Sequence, residues 1–125
     1  MEKKYLSELA AAYEFLKISK LNLKESLRTS ANRLYFSLEK AVIAYFGFKK
    51  VKIPKNHQKL WELSSKYAGE DIYKLFRELY DLRMQADYGL LSIFVELNEE
   101  NLKSYFSLVE IFINRVKKKL LKNEL

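Results

Sequence analysis

Arg83 and Asp87 stand four residues apart in the stretch Arg83-Met84-Gln85-Ala86-Asp87-Tyr88. On a helix that spacing brings a guanidinium and a carboxylate within reach of an ion pair. Arginine is permanently charged and carries a planar fork of donors suited to phosphate. With Ile72, Leu79 and Ala86 as the apolar centre of this helix, Arg83 projects only about 50° away from it. Arginine is almost never fully buried without a partner. Two readings stay open: a structural Arg83–Asp87 pair at the edge of the core, or a phosphate held by Arg83 in a cleft while Asp87 fixes the guanidinium. Tyr88 projects almost opposite the core, roughly 140° round the helix from Arg83. A site using both needs another helix or a second subunit to close it.

His57 is the only histidine. An imidazole takes and gives a proton near neutral pH, so His57 is a candidate base. At the expected start of a helix it is equally a capping or hydrogen-bonding residue. Around it, the only charged side chains between Glu39 and Glu62 are Lys40, Lys49, Lys50, Lys52, Lys55 and Lys59. A second cluster, Arg115, Lys117, Lys118, Lys119 and Lys122, precedes Glu124. Clusters of one sign attract phosphates. Lysine-rich surfaces also serve as solvating faces in heat-adapted proteins.

Composition excludes other chemistries. The chain has 125 residues, with 23 Lys and Arg against 16 Asp and Glu for a net charge of +7. Cysteine is absent, which removes disulfides, thiolate metal sites and cysteine nucleophiles. One histidine cannot supply a di-iron bundle or a zincin, so neither metal nor cofactor is expected. Three isolated glycines leave no phosphate-cradling loop. No apolar run approaches the roughly 20 residues of a membrane span, and Met1-Glu2-Lys3-Lys4-Tyr5 lacks a signal-peptide core. The expectation is a soluble, cytoplasmic protein with no membrane contact.

The elements that position these residues are helices. Hydrophobic residues make up 49% of the chain and charged residues 31%, with a single proline, a globular balance poor in breakers. Apolar residues at spacings of three and four predict five helices at roughly 2–21, 24–46, 56–68, 71–88 and 98–122. Gly47, Gly69 and Gly89 each follow a helical stretch, where glycine relieves left-handed strain. Asn98, before Glu99 and Glu100, signals the start of the last helix. Segment 90–97 reads as a short helix or an apolar loop over the bundle. The second helix is apolar on more than one face, because Tyr35, Phe36, Ile43 and Phe46 lie roughly 80–180° from its main stripe. Such a helix is central or meets a second chain. The fold class is all-α: an up-and-down helical bundle of about five helices forming one domain, 1–125.

Ser30-Ala31-Asn32-Arg33-Leu34-Tyr35-Phe36, then Lys55-Asn56-His57, then Arg83-Met84-Gln85-Ala86-Asp87-Tyr88 together resemble the HEPN domain family. The similarity is greatest to its small prokaryotic branch, whose fourth helix reads Arg-x-x-Ala-Asp-Tyr. The resemblance implies a bundle that dimerises, often beside a minimal nucleotidyltransferase in toxin–antitoxin or defence systems. It also implies metal-independent ribonuclease chemistry in many members, which carry an arginine followed four to six residues later by a histidine. Arg83 matches that arginine. Position 88 is tyrosine, a poor general base at neutral pH.

Three functions remain in view. The first is a homodimeric domain binding a nucleotide or RNA phosphate through Arg83, without strong catalysis. In it Asp87 orients Arg83, and Asn32, Arg33, Tyr35 and Tyr88 line the cleft or its dimer wall. A nucleotidyltransferase is its partner. The second is a ribonuclease using Arg83 and His57. The third is a purely structural interaction module.

Overall fold

The computed structural model describes residues 2–89 and 95–124. Among the described residues five helices follow one another: α1 (Glu2–Leu21), α2 (Leu27–Phe48), α3 (His57–Tyr67), α4 (Glu70–Tyr88) and α5 (Glu99–Glu124). No strand occurs among the described residues. The chain is the all-α bundle that its periodicity predicts.

Side-chain caps set the helix starts. The Ser26 hydroxyl accepts the Thr29 N–H at 3.1 Å, satisfying a donor the first turn leaves orphaned. Hence α2 begins at Leu27, later than the expected residue 24. Asn56 accepts from the Lys59 N–H and Asn98 from the Asn101 N–H, each at 2.8 Å. Gly89 closes α4 at φ 66°, in the left-handed region. Gly47 departs from expectation: it lies inside α2, which continues to Phe48. The reason is steric, since an added Cβ would stand 2.1 Å from two ring carbons of Tyr5. Glycine here lets the first turns of α1 close onto the end of α2.

Small residues bring α1 and α2 together. Ala12, Ala31, Ala41 and Ala44 are buried between larger side chains. Ser19 donates to the Ser30 carbonyl at 2.6 Å, and Ser30 donates back to the Ser19 carbonyl at 2.9 Å. Ser37 donates to the Ala12 carbonyl at 2.7 Å. Each buried hydroxyl thereby avoids the roughly 1–3 kcal/mol cost of going unsatisfied.

α2 is the central helix, with α1, α4 and α5 all packed on it and α3 on α4. Its second apolar face is covered by this chain. Tyr35 meets Phe76 and Tyr80 of α4 at ring distances of 6.0 and 5.7 Å, and Phe46 meets Tyr67 of α3 at 6.1 Å. That face therefore offers no separate argument for a second chain. Of segment 90–97, residues 90–94 lie outside the described residues. Residues 95–97 are non-helical and clamped by Gln85, which donates to the Val95 carbonyl at 2.7 Å and accepts the Leu97 N–H at 3.1 Å. Among the described residues no helix is long and apolar enough to cross a membrane.

Candidate functional site

Two helix faces build the site. On α2, Arg28, Asn32, Tyr35, Phe36 and Glu39 recur at three- and four-residue spacing and so share one side. On α4, Tyr80, Arg83 and Asp87 do the same. Where the faces meet, the Arg83 guanidinium carbon lies 4.8 Å from the ring centroid of Phe36, 5.4 Å from that of Tyr35 and 5.9 Å from that of Tyr80. The ring faces are electron-rich and hold a cation by roughly 0.5–2 kcal/mol. The Arg83 side chain keeps 18% of its surface exposed, so the group is neither sealed in nor free in water.

Asp87 is shared more widely than an ion pair along one helix would require. Its Oδ2 accepts from Asn32 Nδ2 at 3.1 Å and lies 3.5 Å from Arg83 Nε, while its Oδ1 accepts from Arg28 Nε at 3.4 Å. Asn32, expected to line the cleft or its dimer wall, lies against Asp87. Arg83 Nε is buried and makes no hydrogen bond among the described residues. Its charge is held by rings and by the Asp87 field, with donor capacity unspent.

The same aromatic floor carries His57. The Tyr35 hydroxyl and Glu39 Oε2 lie 3.1 and 3.2 Å from His57 Nδ1, and Trp61 Nε1 donates to the Tyr35 oxygen at 3.3 Å. The His57 ring stands 5.9 Å from Tyr35 and 6.1 Å from Tyr80. With Nδ1 engaged, Nε2 is the nitrogen left to face a ligand. Burial pushes the Tyr35 hydroxyl well above the usual tyrosine range, and the Glu39 charge beside it adds to the shift. Tyr35 therefore keeps its proton and serves as a neutral spacer between His57 and Arg83.

Two expected site residues do not join this cluster. Arg33 stands over Phe15 of α1, 5.6 Å from the ring centroid, because one step along α2 turns the side chain about 100° from Asn32. Tyr88 is 66% exposed at the end of α4, as its angle from Arg83 requires. Residues that the sequence reading missed are Arg28, Phe36, Glu39, Trp61 and Tyr80. The α2 set carried a detectable signal in its spacing. Tyr80, three residues before Arg83 on α4, carried the same signal; Trp61 had none, since only the fold brings α3 beside α4 there. No group of three or more His, Cys, Asp or Glu that could hold a metal ion occurs among the described residues.

In a comparison with protein families, a model described as HEPN domain matches residues 7–119. A search of curated proteins finds no match.

Proposed function

We propose that this chain, which belongs to the HEPN domain family, binds the phosphate of a nucleotide or RNA through Arg83. One observation carries the reading: a guanidinium held against three aromatic rings, with a buried Nε that has no hydrogen bond among the described residues. Asp87, itself fixed by Asn32 and Arg28, sets the orientation of the guanidinium. The family connection supports a nucleotide- or RNA-related role. It also supports a homodimer working beside a minimal nucleotidyltransferase in a toxin–antitoxin-type system. Calorimetric titration with uridine 3′-monophosphate and a short oligouridine tests the reading. Arg83→Met is expected to lose at least tenfold in affinity for both, and affinities equal to the parent's would refute it.

A second reading, metal-independent ribonuclease, is favoured by His57 and Arg83 resting on the same two tyrosine rings. His57 would take the proton of a 2′-hydroxyl, whose oxygen attacks the adjacent phosphorus as the 5′-oxygen leaves with a proton from solvent, giving a 2′,3′-cyclic phosphate and a 5′-hydroxyl. Arg83 would stabilise the charge gathered on the phosphorus oxygens. Incubating RNA with protein and chelator decides it. Cleavage by the parent that is lost in both His57→Ala and Arg83→Ala supports catalysis, and an uncut substrate refutes it.

A further inference from the structure

The two acid-free lysine runs, between Glu39 and Glu62 and between Glu110 and Glu124, are distant in the chain and meet in the fold. Tyr45 is the joint. Lys49 Nζ at the end of α2 lies 5.8 Å from its ring centroid, and Lys119 Nζ on α5 lies 5.2 Å from it. The end of α3 joins them. Phe46 holds the Tyr67 ring edge-on at 6.1 Å, Lys66 Nζ stands 5.2 Å from the Tyr67 centroid, and Arg115 Nη2 donates to the Ala68 carbonyl at 3.1 Å. Tyr67 is 39% exposed. Lys49 and Lys119 thus share the buried Tyr45 ring, and next to it, across Phe46, Lys66 stands over the partly exposed Tyr67 ring.

Lysines at helix C-termini complement the macrodipole. That role requires neither two ammonium groups over one ring, where they repel each other, nor a partly exposed tyrosine beside Lys66. The acids closest in sequence to Lys66 and Tyr67 are Glu62 on α3 and Glu70 and Asp71 in the first turn of α4, where Glu70 accepts from the Ser65 hydroxyl. A basic surface with an aromatic platform is the chemistry of single-stranded nucleic acid binding, in which cations follow the backbone and rings stack on bases. From this pole the α2–α3 connection, with Lys50, Lys52 and Lys55 exposed, leads to His57 at the start of α3.

We propose that the pole formed by the ends of α2, α3 and α5 is a second binding surface for single-stranded RNA, with the backbone on Lys49, Lys66 and Lys119 and a base on Tyr67. The inference rests on the phosphate-binding reading and narrows it: the ligand is a strand, which the pole holds while the Arg83 site takes one phosphate.

The test is fluorescence anisotropy with labelled oligouridine over a range of salt concentrations, beside calorimetry with uridine 3′-monophosphate. The variants are Lys49→Gln/Lys119→Gln, Tyr67→Leu, and a control of equal charge loss, Lys24→Gln/Lys103→Gln. Each backbone cation accounts for about 0.7 of the slope of log K against log salt on a single strand. The pole double variant is therefore expected to lose about 1.4 in slope and roughly tenfold in affinity, with the control losing less than half as much. Tyr67→Leu is expected to bind about fivefold or more weakly at unchanged slope, through lost stacking. Pole variants that bind like the parent, a control that loses as much, or polyglutamate competing as well as RNA would each overturn the proposal. Mononucleotide binding that depends on Arg83, with oligouridine bound no tighter, removes the pole and leaves the Arg83 reading standing. Oligouridine binding that needs the pole and is indifferent to Arg83→Met does the reverse.

Discussion

Removing Asp87 and removing Arg83 are expected to have unequal costs, and the inequality separates a structural arginine from a ligand-binding one. Asp87→Ala takes away the acceptor of Asn32 and the counter-charge of both Arg28 and Arg83. The charge-assisted bond from Asn32 is worth roughly 1.5–3 kcal/mol. The Arg28 pair, 69% exposed on the arginine side, adds under about 1 kcal/mol. Leaving Arg83 charged and mostly buried without a counter-charge adds a further part of the roughly 3–5 kcal/mol seen for fully buried pairs. The rings that remain around it offset some of that. The sum is about 3 kcal/mol, or about 10 °C in Tm for a chain of this size. Arg83→Met acts differently. It leaves Asp87 with Asn32 and Arg28, fills the aromatic niche with a flexible thioether, and removes a desolvated charge, so it costs under about 1 kcal/mol. Urea unfolding followed by circular dichroism at pH 7 reads both. If Arg83→Met costs as much as Asp87→Ala, the guanidinium is there to hold the bundle together, and the functional argument fails.

Further outcomes follow from other contacts. In the unfolded chain Tyr35 ionises near pH 10, whereas burial and Glu39 keep it protonated to higher pH in the fold. Its contribution is therefore complete below about pH 10 and is lost as pH rises toward the folded value, by up to about 1.4 kcal/mol per pH unit. The parent's stability between about pH 9 and 11.5 should fall more steeply than that of Tyr35→Phe, and equal slopes would contradict the burial argument. Gly47→Ala should destabilise by about 1 kcal/mol, the Tyr5 clash exceeding the gain in helix propensity. In a Tyr5→Ala background it should instead stabilise by about 1 kcal/mol, and a cycle without that change of sign would show that Tyr5 is not the obstacle.

The five helices were legible because each carries an apolar stripe, and the start of α5 because Asn98 caps it. α2 starts later than its apolar stripe suggests because Ser26 caps it. Gly47 misled because a glycine near a helix end marks a terminus only when it adopts the left-handed region. The constraint at Gly47 is instead a ring that lies 42 positions earlier in the sequence. At the site, Arg83 and Asp87 were readable from their helical spacing, and Asn32 only through the motif that resembles the HEPN family. The bond of His57 to Tyr35 spans 22 positions and that of Asn32 to Asp87 spans 55. Contacts that long depend on how helices pack, which periodicity does not encode. Arg33 shows the converse: its neighbour Asn32 reaches the site, while the turn of α2 sends Arg33 to Phe15.

The central claim is that the Arg83 guanidinium receives a phosphate. Side-chain 15N–1H NMR of the Arg83 Nε–H group, followed during titration with uridine 3′-monophosphate, addresses it directly. The Nε–H signal is expected to move along a saturating curve with the Kd found by calorimetry. A nucleotide that binds while the Arg83 signal stays in place, or one that does not bind at all, would contradict it.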